Sequence, residues 1–408
     1  MEEPLSAEPT SSAGRLVPIR LLEPDGFFCV ERAGPDFLSP AAPAAAIWRA
    51  IDGEEHRIGP HLLHGISHAA PDSMHGFLQA DSYRSRPRYF ARFRDTLVFP
   101  RFGLVMPRPG DVLADSAASV RWGAPRLQGV PGIVDQGAEP AFDEASAAGA
   151  RVIDRPAVLL GHKTQIIYGH WLMDCLPGIL FLREHILRGG AAILAPPLHP
   201  WQRASLARLG VADAVLEVAD EVVIARDLIF PSFLDVAEVA LPSAAARRTF
   251  AALAGTSRRT SGGSRCLYVS RAGIPGNRPM LNESRLERAL GGLGFECVRP
   301  ELLELGHQIE AFSAARVIAG PHGSGLANIG FAPPGCVVLD LLLSTVPDPW
   351  ICRLSAVLGH RYAYLVTPAP PTTMVGADGV RRADPAAGYE VDIERVLRIA
   401  AAAQRLDA

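Results

Sequence analysis

Two stretches of the chain carry chemically capable side chains at spacings that a mere connection does not require. The first is Tyr168-Gly169-His170-Trp171-Leu172-Met173-Asp174, with an imidazole and a carboxylate four residues apart. On a helix that spacing puts both on one face. A histidine titrates near neutrality, so His170 can take a proton from a hydroxyl while Asp174 orients it, or Asp174 can itself be the base. A pair that simply pins its helix satisfies the same spacing.

The second stretch is Pro321-His322-Gly323-Ser324-Gly325, with Asn328 one turn further on. The glycines let backbone approach a ligand, and free N–H groups at the start of the following helix favour an anion, naturally a phosphate or diphosphate. An ordinary tight turn also accounts for Gly-Ser-Gly; His322, at the carboxyl edge of a sheet, favours the ligand. The spacing is not that of a dinucleotide fingerprint, and the lysine of a phosphate-binding loop is missing, which argues against NAD and ATPase chemistry.

Around these stretches lie further candidates. Tyr268-Val269-Ser270-Arg271 puts Ser270 and Arg271 at a strand end. Arg271 offers a planar fork suited to phosphate and Arg278 a second positive charge, with a surface salt bridge as the competing role. Asp340, expected at the end of the next strand, suits the two hydroxyls of a ribose or caps the segment that follows. Glu283 is a first-turn partner of its helix dipole or a ligand contact, the former being the more economical.

The elements that must position these residues are legible from residue 156 onward. Apolar runs alternate with helix-length amphipathic segments: strands at RPAVLLG, AAILAP and AVLEV, a further strand around EVVIA and LIFPS, and a helix from about 171 to 188 kinked rather than ended by Pro177. After residue 264 the alternation is regular, with strands RCLYVSR, FECVRP, RVIAG, CVVLDLL and HRYAYLV. Between them come helices NESRLERALGGLG, opened by Asn282 as a cap, then GHQIEAFSAA, GLANIGF and PWICRLSAVLG. Continuous apolar strands separated by helices specify a parallel sheet covered on both faces, and such sheets bind ligands beyond the carboxyl ends of their strands.

The expected organisation is therefore α/β. Residues 1–15 form a disordered tail and 16–250 an N-terminal domain, irregular and strand-rich to 155 and α/β from 156, which the resemblance given below makes the acceptor side. Residues 251–264 form a linker and 265–385 a C-terminal nucleotide-binding domain. Residues 386–408 end in a helix packed near the junction of the domains.

Composition narrows the classes. At 408 residues the chain is long enough for two domains. A net charge of -3 gives no general attraction to nucleic acid or an anionic membrane. The arginine-rich run Arg84 to Arg94 reads as a solvated face beside a strand. Six cysteines, at 29, 175, 266, 297, 336 and 352, form no CxxC pair and several sit in apolar stretches, as small buried hydrophobes in a reducing compartment. No secretory signal and no apolar span long enough for a membrane helix is evident.

Taken together and in order, YGHWLMDCLP at 168–177, YVSR at 268–271, NES at 282–284, the run at 307–335 and VVLDL at 337–341 resemble glycosyltransferase family 61, over about half of the chain. The resemblance implies a GT-B-like architecture, two Rossmann-like α/β domains facing across a cleft, with a nucleotide held mainly by the second. It implies an inverting transfer of sugar from a nucleotide sugar to a glycan hydroxyl in polysaccharide biosynthesis. Its pattern falls on His170 and Asp174 as catalytic residues. For the donor it falls on Ser270, Arg271, Glu283, His322, Gly323, Gly325, Asn328 and Asp340, the last a glutamate in many members; Arg278 and Ser324 join from the residues themselves. Trp171 either walls a sugar face or fills core.

No Asp-x-Asp occurs in the chain, and helix dipoles with arginine can replace a divalent ion, so no metal and no cofactor beyond the donor is expected. The expected partners are a nucleotide sugar and a glycan acceptor, not nucleic acid. The expected setting is the cytosol, with peripheral association to inner-membrane polysaccharide machinery left open, as is the oligomeric state. Two rivals share the same cleft: a sugar-nucleotide hydrolase or epimerase, and a non-catalytic nucleotide-binding protein of an assembly complex.

Overall fold

The computed structural model describes residues 15–406 apart from 24–30, 43, 60–75, 77, 79, 118–126, 128, 136–138, 163–164, 234–240, 258–262, 275–277, 347, 369–372, 376–380 and 384–386. Most of the expected 1–15 tail, part of the 251–264 linker and Cys29 fall outside the described residues.

The chain is α/β, built mainly on two sheets. In the C-terminal half, five strands lie in the order Phe295–Val298, Arg265–Val269, Ala315–Pro321, Val337–Leu343 and Arg361–Thr367. All four pairings are parallel. Numbered along the chain this is the order 2-1-3-4-5, whose reversal falls between Arg265–Val269 and Ala315–Pro321. The crevice at the carboxyl ends of those two strands is where such sheets take ligands.

The strands read as unbroken apolar runs because both faces are covered. Cys266, Tyr268, Val317, Ala319, Leu339 and Leu341 pack against Leu286 and Leu290 of the helix Glu283–Gly292 and against Val396, Ile399, Ala400 and Ala403 of the helix Ile393–Gln404. Leu267, Val269, Ile318, Val338 and Leu342 face the other way, into the larger core shared with the N-terminal half. The last helix thus lies on the face turned away from that shared core, not at the junction where the sequence reading put it. Its apolar stripe matches that of Glu283–Gly292, and the two helices lie side by side.

The N-terminal sheet is mixed. Its main path runs Val215–Glu217, Ala192–Ala195, Ala157–Leu159, Val223–Pro231, Arg88–Phe99 and Ala45–Ile51. The first four are parallel to one another; Arg88–Phe99 and Ala45–Ile51 join antiparallel. EVVIA and LIFPS form the one strand expected there, Val223–Pro231, with Asp227 between them held inside the sheet by arginine.

That ion pair also corrects the reading of Arg84 to Arg94 as a solvated face. Arg88 and Arg92 are buried. Arg92 grips Asp227 through Nε and Nη2 at 2.8 and 2.7 Å, and Arg94 reaches the same carboxylate. A buried charge survives because bidentate hydrogen bonds replace its water.

The helix Ala244–Ala254 begins where a linker was expected to approach, yet it belongs to the shared core. Phe250 stands edge-on to Phe331 at 5.1 Å, and a Cβ on Gly330 would meet its ring at 2.3 Å. Only glycine lets that ring so close. Leu253 and Ala254, assigned to the linker, are buried, and Gly255 at φ 53 ends the helix. From further upstream, Tyr83 on the strand Ser82–Arg84 donates to Pro242 O at 2.6 Å and lies under the Arg353 guanidinium at 5.4 Å, joining the N-terminal region to the helix Trp350–Leu358.

Among the described cysteines all are free; Cys175, Cys266, Cys336 and Cys352 are buried as expected, whereas Cys297 is exposed. Among the described residues no helix is long and apolar enough to cross a membrane.

Candidate active site

The strand Ala157–Leu159 of the N-terminal sheet feeds a helix that is broken rather than smooth. Tyr168–His170 is α-helical, Trp171–Cys175 is a π-turn, and Leu176–Phe181 resumes the α-helix. The Leu176 N–H donates to Trp171 O, five residues back. Pro177 then supplies no N–H for Met173 O, so a wide turn at this point costs little, and π-turns of this kind recur at functional sites. The kink expected from Pro177 is present, one turn earlier than the proline itself.

Within this turn the His170 Nδ1 and Asp174 Oδ2 are 2.6 Å apart; the Asp174 side chain is fully buried and that of His170 is 17% exposed. With its proton on Nδ1, the imidazole donates to the carboxylate and turns Nε2 away from it. Such a pair orients a base and stabilises the cation formed when the base is protonated. Trp171 resolves to the core: it is fully buried and its Nε1 donates to Ser205 Oγ at 2.8 Å.

The C-terminal sheet supplies the opposing wall. Ala315–Pro321 ends in His322, and the chain enters a tight helix, Ser324–Phe331, whose first amides lack intrahelical acceptors. Arg271, leaving the neighbouring strand across the switch point, lies over this turn and donates through Nη1 to His322 O at 3.2 Å. A Cβ on Gly323 would lie 2.0 Å from Arg271 Nη1 and 3.7 Å from Arg278 Nη2. The glycine is therefore what admits the Arg271 guanidinium, while Arg278 lies at ordinary contact distance from the same turn. Gly325 is close-packed for a different reason, its Cβ position being 3.0 Å from Val269 Cγ1.

The two walls touch. A Cβ on Gly169 would be 3.5 Å from Ser324 Oγ and 3.7 Å from the Trp350 ring. Tyr168 donates to Asn328 Oδ1 at 2.8 Å, and Asn328 Nδ2 donates to Gln308 Oε1 at 3.0 Å and Gly325 O at 3.2 Å. His170 therefore follows directly on a residue in contact with the 323–325 turn.

Several expected ligand contacts are instead supports. Asp340 is in the middle of Val337–Leu343, not at its end, because apolar pairing continues through Leu343. It is fully buried, with Oδ2 accepting from Tyr362 Oη and facing His322 Nδ1, both at 2.9 Å. Neither oxygen is exposed. His322 is itself 4% exposed, with Nε2 3.8 Å from Asp348 Oδ2 and its ring edge-on to Trp350. Burial disfavours its charge, but Asp340 and Asp348 outweigh that and raise its pKa to about 9. The two carboxylates thus favour the charged form of the ring beneath the turn.

Ser270 is 1% exposed, donating to Glu287 Oε1 and accepting from the Ala272 N–H. Glu283 is buried, its Oε1 accepting from the Arg271 N–H at 2.8 Å and Tyr268 Oη at 3.1 Å; burial raises its pKa. Asn328 is fully buried. Asn282 occupies the capping position without a capping bond, its side chain clamping Val391 instead.

Of the expected site residues, Arg271, Arg278, Gly323, Ser324 and Gly325 gather at one turn, and the helix that carries His170 and Asp174 reaches that turn at Gly169. Ser270, Glu283, His322, Asn328 and Asp340 lie behind them and fix their positions. Tyr168, Tyr362, Asp348 and Tyr389 escaped the sequence reading. Only Tyr168 carried a signal there, its place at the head of the His-Trp motif.

Residues 168–339 match the model of the family described as Glycosyltransferase 61, and no curated protein matches the chain. The match opens at Tyr168 and closes one residue before Asp340, so it takes in the broken helix, both arginines and the glycine turn. The resemblance carried by the ordered motifs thus holds, and residues 168–339 are similar to the glycosyltransferase 61 family.

Proposed function

We propose that the protein is an inverting glycosyltransferase of GT-B-like architecture, moving a sugar from a nucleotide donor to a glycan hydroxyl. The observation that carries the reading is the convergence of Arg271, Arg278 and the 323–325 amides at the switch point of a parallel sheet, against the helix that holds His170. A diphosphate leaving group needs positive potential that does not have to reorganise during reaction. Two guanidiniums, helix-opening amides and the buried His322 imidazolium supply it, which supports turnover without a divalent metal.

The acceptor O–H loses its proton to His170 Nε2 as its oxygen bonds to the anomeric carbon. The bond from that carbon to the diphosphate oxygen breaks, and its electron pair leaves with the diphosphate. One displacement inverts the centre. Asp174 steadies the resulting imidazolium. The family resemblance supports a polysaccharide acceptor and a cytosolic setting near inner-membrane machinery.

The reading is tested by screening nucleotide sugars by thermal shift, since a ligand of the folded state raises the melting point. The best donor is then assayed with His170→Ala and Asp174→Ala, with chelator present throughout. Expected are retained turnover in chelator and, for His170→Ala, a loss of about 10²- to 10⁴-fold in kcat with donor affinity little changed. Equal loss of donor affinity removes these residues from the chemistry. Release of free sugar without acceptor identifies a hydrolase.

A further inference from the structure

A ribonucleoside diphosphate needs an acceptor for its ribose hydroxyls as well as a seat for its phosphates, and Asp340, expected in that role, is buried. Nearby, Glu283 is buried and accepts from the Arg271 N–H and Tyr268, while Glu287 is engaged by Ser270 and Arg299. Glu301 is different. It lies just past the strand Phe295–Val298, in the tight turn Pro300–Leu302, and is exposed. Among the described residues no hydrogen bond or ion pair engages its carboxylate.

Three contacts place Glu301 beside the arginine loop and the glycine turn. The Ser270 N–H donates to Val298 O at 2.9 Å, so the strands Arg265–Val269 and Phe295–Val298 stay paired up to the point where both chains leave the sheet. A Cβ on Gly273, two residues past Arg271, would lie 3.0 Å from Glu301 Oε1. Pro300, the residue before Glu301, has its Cγ 3.9 Å from the position of a Cβ on Gly325. Glu301 thus stands where the arginine loop and the 323–325 turn come together, with at most about 7 Å of chain between Gly273 and Arg271. Two exposed apolar residues flank the contact: Ile274, held in a turn by its N–H to Arg271 O at 2.9 Å, and Leu302, 73% exposed.

We propose that Glu301 accepts hydrogen bonds from the two ribose hydroxyls of a ribonucleoside diphosphate, with Ile274 and Leu302 against its base. A diphosphate on Arg271 and the 323–325 turn has its ribose as the next group along, beside this carboxylate. A diol donates two O–H groups and a carboxylate offers two oxygens to receive them, the physics by which dinucleotide sites bind ribose. The acceptor is ionised, so each bond is stronger than one between neutral groups. A planar base laid on Ile274 and Leu302 takes their apolar surface out of water. A carboxylate that merely offset the arginines would pair with one of them; Arg299 pairs with Glu287 instead, and Arg271 Nη1 donates to His322 O. This inference rests on the donor-site reading above.

The test uses the full chain, with binding measured by titration calorimetry and folding by thermal melts. The probes are inorganic pyrophosphate, the diphosphates of adenosine, guanosine, cytidine and uridine, and the 2′-deoxy analogue of whichever of these binds best. Wild type is expected to bind the ribose form about tenfold more tightly than the deoxy form, as for a hydrogen bond to a charged group. In Glu301→Ala that preference should disappear, with pyrophosphate affinity and melting point close to wild type. Leu302→Ser should weaken the nucleoside diphosphate but not pyrophosphate. If Glu301→Ala keeps the preference, or weakens pyrophosphate equally, while Arg271→Ala loses pyrophosphate, the inference is wrong and the donor site stands. A wild type indifferent to the 2′-hydroxyl also overturns it. If wild type binds neither pyrophosphate nor any of the nucleoside diphosphates, the donor site fails and the inference with it.

Discussion

His322 shows how a buried side chain can underpin the turn above it. Its ring is gripped by Asp340 at Nδ1 and faces Asp348 beyond Nε2, with Tyr362 and Trp350 closing the pocket, while its carbonyl takes the Arg271 Nη1. The folded-state pKa, about 9, is above the ordinary histidine value. The stability this contributes is fully present below about pH 6.5 and is lost as pH rises through about 9. The melting temperature of wild type should therefore fall between those limits, and Asp340→Asn should flatten that fall. A melt series across pH for both proteins checks it. An unchanged slope in Asp340→Asn would mean that His322 is not held as a cation by that carboxylate.

At the scale of the element, the broken helix carries the His170–Asp174 pair, and its seat on the sheet is tight. A Cβ on Gly178 would lie 2.5 Å from Pro231 Cβ and 3.0 Å from its Cγ, at the end of Val223–Pro231. Proline has no rotamer to swing aside, so in Gly178→Ala the helix must back away, carrying the π-turn and Asp174 with it. The expected destabilisation is about 1–3 kcal/mol, read by urea denaturation. Turnover should fall by more than the unfolded fraction explains, with donor binding preserved on the other wall. Wild-type kcat in a destabilised Gly178→Ala would show that the His170–Asp174 geometry does not depend on this seat.

For the whole molecule, the decisive feature is that one apolar core runs through both halves. It joins Leu172 and Ile179 of the broken helix, Phe250 of the bridging helix, and Leu267, Ile318 and Val338 of the C-terminal sheet. Tyr168–Asn328 and Tyr83–Pro242 add polar ties across the same boundary. Halves joined in this way should unfold together. Differential scanning calorimetry is expected to show one main transition, with Phe250→Ala lowering it as a whole at a cost of about 3–5 kcal/mol. Two resolved transitions in wild type would mean that the shared core contributes little, leaving the halves as independent folding units.

Local order was written plainly in the chain. Apolar period and punctuation fixed the α/β alternation after residue 156, the five parallel strands and the turn at Pro321 to Gly325, because those signals live within a dozen residues. The motifs named the residues near the chemistry for the same reason. The pattern could not separate residues that face a ligand from those that hold them. Asp340 and His322 look like ligands until Tyr362 and Asp348, distant in sequence, are seen to occupy them. Nor could it pair Arg92 with Asp227, return Tyr389 to Met280, or turn the start of an expected linker into core. Sequence alone determined which groups were present and in which elements; tertiary structure decided which of them were spent on each other, since burial and partner choice depend on contacts that no local spacing encodes.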